Sequence, residues 1–185
     1  MNKILYAFAL AGVLGMSSCS DFLDQTSPSE MTADNTYASP YYTNLRVNKL
    51  YGGMGQDRTY SQDLAIVWGL NSDCELVDGL GNNATNTSNE RGNMNYNMDP
   101  GWSKISGVWD AEYGIIEDAN QIIEGIRNSA TLTAGGANQK SMERSLGEAL
   151  TIRAMIYFDL VRYFGDIPFK VEASKSDLSN AYLEK

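Results

Sequence analysis

The 185-residue chain contains no histidine. No residue of this sequence can therefore supply an imidazole ligand to zinc, the base of a Ser-His-Asp triad, the partner of a Cys-His nucleophile or an imidazole proton shuttle. Carboxylate and lysine chemistry remain open. Cysteine is scarce as well, since Cys19 and Cys74 are the only two, and no disulfide framework is expected if one of them has another use. We predict that Cys74 is a small buried apolar residue.

Positive charge and long hydrophobic runs are also in short supply. Lysine and arginine number 14 against 23 aspartates and glutamates, which gives a formal net charge of -9 at pH 7. Such a surface repels phosphate backbones, so nucleic acid is not an expected partner, and it offers no basic patch to anionic lipids. The apolar run near the N-terminus, Ile4–Leu14, is shorter than the roughly 20 residues that a membrane span requires.

The N-terminus has the order of a bacterial lipoprotein signal. Lys3 precedes the apolar run, and Ser17-Ser18-Cys19 follows it closely. We predict a signal peptide over residues 1–18 and lipidation of Cys19, whose acyl chains would each add about 0.8 kcal/mol of membrane affinity per buried CH2. An ordinary secretory signal with an incidental cysteine remains the alternative, because Met16 stands where such sites more often carry leucine.

The segment that follows the signal changes from polar to helical. Residues 19–38, rich in serine, threonine and aspartate, predict an extended acidic leader. Ser39-Pro40 is typical of a helix start and Gly52-Gly53 of a helix end, which together predict a helix over residues 41–51. Residues 56–106 lack periodicity and predict long irregular loops. An apolar run within them, Leu64–Leu70, predicts a short buried helix or strand.

Two later stretches show clear helical periodicity. Residues 107–128 and about 141–164 each carry apolar residues three or four apart, and Gly165 suits the end of the second helix. Their short connection predicts an antiparallel hairpin. The predicted core positions are Trp109, Tyr113, Ile116, Ala119, Asn120, Ile123 and Ile126 in the first helix, and Met142, Leu146, Ala149, Arg153, Ile156, Leu160 and Tyr163 in the second, widened by Leu150, Tyr157, Val161 and Phe164. The predicted fold is therefore mainly α, with stacked helical hairpins of a tetratricopeptide-like or more general kind.

Several polar residues have specific predicted roles. Arg153 lies on an apolar face, so it needs a partner there, and the predicted partner is an acid of the neighbouring helix. The candidates are Glu117, Asp118 and Glu124. Glu112 and Asp118 are predicted to be helix-surface acids rather than a catalytic pair. Asp73, Glu75 and Asp78 form an acidic cluster whose spacing favours a solvated turn over a calcium loop.

The C-terminal helix carries an ordered motif set. Gly147-Glu148-Ala149, Arg153-Ala154, Tyr157-Phe158 and Phe164-Gly165-Asp166-Ile167-Pro168 follow one another in the order of a signature that they resemble, that of the SusD/RagB family. The stretches Cys19-Ser20-Asp21-Phe22-Leu23-Asp24 and Trp109 to Tyr113 with Ala119-Asn120 are similar to two further family positions. Members are outer-membrane lipoproteins of Bacteroidetes. The resemblance implies that residues 39–185 are the N-terminal part of a longer helical domain whose remainder is missing.

The resemblance also implies a function. It predicts a surface-exposed lipoprotein, anchored in the outer membrane, that binds oligo- or polysaccharides and delivers them to a TonB-dependent (SusC-like) transporter without catalysis, cofactor or metal. The candidate ligand residues are the aromatic and polar side chains of the irregular region, because stacking on sugar rings and reading of hydroxyls need those groups. They are Trp102, Tyr96, Arg91, Asn93 and Trp68, with Asn95 beside them. Two alternatives stay open: capture of peptides or another nutrient, and a surface glycosidase with two carboxylates.

Overall fold

Helices make up all the regular structure in the part of the chain that the computed structural model describes, residues 32–69, 74 and 100–174. The four α-helices are α1 (Ala33–Ala38), α2 (Pro40–Met54), α3 (Ser103–Asn128) and α4 (Gly136–Phe164). Two π-helical turns lie at Asp57–Ser61 and Ala65–Gly69, and a 3-10 turn at Ala130–Thr133 joins α3 to α4. The predicted mainly α fold is confirmed. Residues 33–185 group into one unit by their contacts, and the described helices all lie in it.

The long helices α3 and α4 form the predicted antiparallel hairpin. Trp109 contacts Phe164, with ring centroids 4.9 Å apart, while farther along α3 the Asn120 amide contacts Arg153. One residue number rises as the other falls, so the helices run in opposite directions. Both helices end where the sequence predicts, and Gly165 closes α4 with a φ of 75°. Both begin earlier than predicted, because their first turns are mainly polar and carry no apolar periodicity.

The core lies between this hairpin and α2. The largest side chains that are fully buried include Leu50 of α2, Ile116, Ile122 and Ile126 of α3, and Met142, Ile156 and Leu160 of α4. The predicted single stripe on α3 is too narrow, because Ile115 and Ile122 are buried as well. Helix α2 packs against both helices of the hairpin, and its Gly53 lies next to Ile115. Val161, predicted to widen the α4 stripe, is 52% exposed because it lies on the opposite side of that helix.

Helix α2 passes through the glycine pair that was predicted to end it. It continues to Met54, and Gly55 is its C-terminal cap. A Cβ at Gly53 would lie 3.0 Å from Cγ1 of Ile115, which is tighter than an ordinary van der Waals contact. Gly53 therefore allows close approach of α2 to α3, and glycine in this position serves packing instead of termination.

Helix α1 replaces the last part of the predicted extended leader. The prediction is wrong for residues 33–38, which are helical, and residues 19–31 lie outside the described part of the chain. Tyr37 of α1 is buried, and its ring occupies the space that a Cβ at Gly125 would fill. The Ser129 hydroxyl donates to the Tyr37 carbonyl at 2.6 Å. This short helix is thus held by tertiary contacts that no local periodicity announces.

The apolar run that starts at Leu64 forms a helical turn whose Val67 is fully buried, in agreement with the prediction of a short buried element. Cys74, in contrast, is exposed, so the prediction that it is buried is wrong. It stands between Asp73 and Glu75, and a single apolar residue among polar neighbours does not build a core. Along the described residues, no helix combines the length and hydropathy that crossing a bilayer requires.

Candidate functional site

One end of the hairpin collects most of the aromatic and polar side chains of interest. We call it the loop end: it comprises the start of α3, the end of α4 and the two π-helical turns between residues 57 and 69. Trp68 stacks on Tyr163 there, with ring centroids 4.2 Å apart and planes 23° apart, and meets Phe164 edge-on at 5.3 Å. Trp109 meets the same Phe164 at 4.9 Å. Trp68 is thereby held on the last turn of α4.

Trp102 lies at the same end. It is the N-terminal cap residue of α3, its backbone is extended, and it is only 8% exposed. It packs on Val67, and Ile66, Trp68 and Ile105 complete this small apolar cluster. Trp68 and Trp102 are therefore brought together, one on each side of residues 70–99 in the sequence.

The remaining predicted site residues are not described. Arg91, Asn93, Tyr96 and the lipidation site Cys19 lie outside the described part of the chain, as do Asn95 and the acidic residues 73, 75 and 78. The ligand roles of Trp68 and Trp102 stay predictions, and in this chain both rings are packed against other side chains. The stacked Trp68 retains partial exposure.

The loop end also contains charged side chains that are largely buried. Lys104 of α3 pairs with Asp63 at 2.8 Å, and the two side chains are 16% and 10% exposed. The Tyr60 hydroxyl donates to Oδ2 of Asp159, and Nη1 of Arg162 lies 3.5 Å from Oδ1 of the same carboxylate. Burial, together with the hydrogen bond to Asp159, raises the pKa of Tyr60. The Tyr60 hydrogen bond fastens the Asp57–Ser61 turn to α4, and the Lys104–Asp63 pair fastens the connection between the two π-helical turns to α3.

Glu112 is the most unusual residue of the loop end. It is fully buried, and neither carboxyl oxygen has a hydrogen-bond partner within the described residues. Burial in the first place, and the negative charge of Asp159 in the second, raise the pKa of Glu112 to about 8. The prediction that Glu112 is a surface acid is wrong, because the helix is buried on a second side. The spacing of Glu112 from the buried residues Val108 and Ile115 is the signal that could have placed it inside.

The loop end also has exposed aromatic side chains. Phe158 is 64% exposed and Tyr60 is 39% exposed. The guanidinium of Arg162 lies over the Phe158 ring at 5.3 Å from the centroid and over the Tyr163 ring at 5.6 Å. Aromatic faces next to a charged hydrogen-bond donor and an acceptor are groups that can contact sugar rings and their hydroxyls.

The signature residues of α4 perform a different task. Nη1 of Arg153 donates to Oδ1 of Asn120 at 2.7 Å and to the Val171 carbonyl at 3.1 Å. The Asn120 amide nitrogen in turn donates to the carbonyls of Lys170 and Glu172. The predicted acidic partners of Arg153 are therefore wrong. The guanidinium is satisfied by two neutral acceptors, the Asn120 amide oxygen and the Val171 carbonyl. Burial lowers the pKa of Arg153, but an arginine side chain keeps its charge and so needs these acceptors.

The acids that were predicted as partners have partners of their own. Glu117 accepts from Nζ of Lys170 at 2.7 Å and from the Ser174 amide at 2.8 Å. Burial alone would raise the pKa of Glu117, but these hydrogen bonds outweigh it and lower the pKa. Asp118 pairs with Lys49 of α2 at 2.8 Å. These acids thus connect the hairpin to α2 and to the segment that follows α4.

Two tyrosines complete the attachment of that segment. The Tyr113 hydroxyl donates to the Pro168 carbonyl at 2.7 Å, and the Tyr157 hydroxyl both donates to the Lys170 carbonyl and accepts from its amide. Burial raises the pKa of Tyr113 to about 12, so its hydroxyl keeps its proton at any physiological pH. The motif from Arg153 to Pro168 therefore fixes the backbone of residues 168–174 on the hairpin and is a fold signature.

Comparisons with known proteins converge on one family. Residues 21–183 match a SusD-like family model described as starch-binding and associating with the outer membrane. Two curated relatives from Formosa agariphila are SusD-like protein P25, 24% identical over 180 residues, and SusD-like protein P2, 27% identical over 177 residues. These alignments cover 92% and 96% of this chain but only 31% and 32% of the relatives, so the chain spans about a third of their length.

A solved structure agrees with the sequence comparisons. The crystal structure of a SusD homolog from Bacteroides thetaiotaomicron is similar with a TM-score of 0.67 at 27% identity. The similar region covers 78% of this chain and 26% of that chain.

Proposed function

Because this chain belongs to the SusD-like family, we propose that it is a surface-exposed outer-membrane lipoprotein that binds glycans and delivers them to a TonB-dependent transporter. The observation that carries the proposal is the match of residues 21–183 to a family described as starch-binding and associating with the outer membrane. The chain spans about a third of its curated relatives, so the activity of the whole protein is part of the proposal.

Glycan binding in this proposal uses stacking and hydrogen bonds and breaks no bond. The aromatic side chains of the loop end support it: Trp68 and Trp102 border residues 70–99, which contain Arg91, Asn93 and Tyr96. We propose that these five residues contribute to ligand contact. The hairpin supplies a rigid frame for them, as loops that bind ligands are commonly held by a packed scaffold.

The binding experiment is affinity electrophoresis of the chain in native gels that contain starch or another neutral polysaccharide. We expect retardation relative to a gel without polysaccharide, and loss of retardation for Trp68→Ala. Tyr41→Ala is the matched control, because Tyr41 is an aromatic residue of α2 with 68% exposure and no place in the loop end. Circular dichroism of each variant checks the fold. Unchanged migration of the parent chain in every polysaccharide gel would contradict the proposal for this chain.

The same preparation separates the alternatives. Heat of binding in a calorimetric titration with peptides, together with no retardation in any polysaccharide gel, would support capture of peptides or another nutrient on the same scaffold. Chromatography of incubated polysaccharide would detect hydrolysis, which a surface glycosidase requires. Glu112 is fully buried, so it does not present a carboxylate to a substrate in this structure.

The anchoring part of the proposal places a lipid on Cys19 and the protein on the outside of the cell. Palmitate incorporation should occur in the parent chain and disappear in Cys19→Ala. Protease added to intact cells should degrade the parent protein if it faces outward. Co-purification of a TonB-dependent transporter with the tagged protein from detergent-solubilised membranes tests the partner. Absence of label on the parent chain would overturn the lipid anchor without affecting the binding experiment.

A further inference from the structure

The loop end contains two acids on helices that pack together, and the negative charge of Asp159 acts on Glu112. Glu112 of α3 is fully buried, and Asp159 of α4 is 9% exposed. We infer that the Glu112–Asp159 pair holds a single proton, and that this proton keeps the Asp57–Ser61 turn docked on the hairpin through the hydrogen bond from Tyr60 to Asp159. The inference goes beyond ligand binding and does not depend on it.

The surroundings assign the proton to Glu112. Both oxygens of Asp159 have partners, since Oδ2 accepts from the Tyr60 hydroxyl and Oδ1 lies near Arg162. Glu112 has no such partner within the described part of the chain. A buried carboxylate without hydrogen bonds is strongly unfavourable, whereas the neutral acid is tolerated. The pKa of Glu112, raised to about 8 by burial and by Asp159, agrees with this assignment.

Among residues 32–69 and 100–174, no cation close to the pair replaces the proton. On α4, Tyr163 lies close enough to both acids to feel their charges. Arg162 pairs with Asp159, and its side chain is 55% exposed. From the Asp57–Ser61 turn the pair is faced by Tyr60. The Arg58 side chain of the same turn lies beside Gly107, which is five residues before Glu112 on α3. The Lys104 ammonium of α3 is engaged with Asp63. If the proton is lost, two negative charges remain, and within the described residues the guanidinium of Arg162, which is 55% exposed, is the cation that accompanies them.

The Asp57–Ser61 turn is the element that can relieve this repulsion. It is short, and Thr59 within it has non-helical backbone angles, with φ of -126° and ψ of -129°. Thr59 is fully buried and its hydroxyl donates to the Gly53 and Met54 carbonyls at 2.9 and 2.6 Å, so this residue ties the turn to the end of α2. Tyr60 is already 39% exposed, so outward movement of the turn at Tyr60 admits water to the two carboxyl groups. Docking of the turn is therefore linked to protonation, and it weakens as pH rises.

Amide hydrogen exchange of the full chain between pH 5 and pH 9 tests the inference. After correction for intrinsic exchange rates, protection of residues 57–61 should fall by up to about tenfold per pH unit below pH 8 and then level off, as linkage to one proton requires. The chain contains no histidine, so no imidazole titrates in this range. In Glu112→Gln, a neutral side chain of the same shape, protection should not vary with pH.

Two further variants keep the inference open to refutation if Glu112→Gln folds poorly. Asp159→Asn removes the neighbouring charge and should move the transition to lower pH. Tyr60→Phe removes the hydrogen bond and should lower protection of residues 57–61 at pH 5, where the parent is best protected. The inference is overturned by a pH-independent protection of the turn in the parent chain, or by an equal pH dependence in the amides of α3 and α4.

Discussion

The two ends of the hairpin are built on different principles. At the turn end, which comprises the end of α3, the Ala130–Thr133 turn, the start of α4 and the overlying α1, the buried groups are mainly apolar, with Ile126 and Met142 fully buried. At the loop end a fully buried acid lies among aromatic rings and short turns. The turn end therefore contributes to stability through packing, whereas the loop end holds a polar group that opposes it.

The largest expected effect is a cavity at the turn end. Met142→Ala removes a fully buried side chain and should lower the free energy of unfolding by about 2–5 kcal/mol, because transfer and cavity terms add. Urea denaturation measures it. Met155→Ala on the same helix is the control, since Met155 is 45% exposed, and it should change the free energy by no more than about 0.5 kcal/mol. Equal effects of the two substitutions would mean that the turn end is loosely packed.

A second test adds volume at the same end. Gly125→Ala places a methyl group where the Tyr37 ring lies and should lower the free energy of unfolding by about 1–3 kcal/mol through overpacking. Gly114→Ala on the same helix meets no atom within 4 Å and should raise it by up to about 1 kcal/mol through helix propensity. Both substitutions gain helix propensity, so the difference between their effects on the free energy of unfolding measures the steric cost at Gly125. A stabilised Gly125→Ala variant would show that α1 is not docked on α3.

At the loop end, replacing the buried acid should raise the free energy of unfolding, whereas the substitutions of Met142 and Gly125 at the turn end should lower it. The folded-state pKa of Glu112 is about 8 against an ordinary value of 4.5, so the folded state binds this proton more tightly. The contribution to stability is complete below pH 4.5, falls as pH rises from there to 8, and is then lost. Glu112→Gln should therefore match the parent near pH 5 and exceed it by about 1–3 kcal/mol at pH 8. Urea denaturation at both pH values measures this, and a deficit at pH 8 would contradict it.

The same contrast explains what the sequence predicts well. Local signals identify the ends of both long helices, since Gly165 and the loss of periodicity mark them. They also identify Trp68 and Trp102 as candidates, but their meeting at one end depends on contacts between residues far apart in sequence. For Glu112, the apolar periodicity of α3 indicates one buried face of the helix, but it does not show that other elements bury a second face. The contact of α2 with Ile115 and the tertiary support of α1 likewise have no local signature.

The smallest expected effect on the free energy of unfolding is that of Asp118→Asn, which tests whether burial or loss of charge explains the effect of Glu112→Gln. Asp118→Asn, like Glu112→Gln, removes one carboxylate charge from α3, but the Asp118 side chain is 25% exposed and pairs with Lys49 at 2.8 Å. An exposed ion pair contributes little, so its loss should lower the free energy of unfolding by about 0.2–1 kcal/mol at low ionic strength, and less in 1 M salt because the charges are screened. The two substitutions should thus differ in sign, pH dependence and salt dependence, although both replace an acid by its amide. If Asp118→Asn also stabilised the chain as pH rises, net charge and not the burial of Glu112 would be the cause.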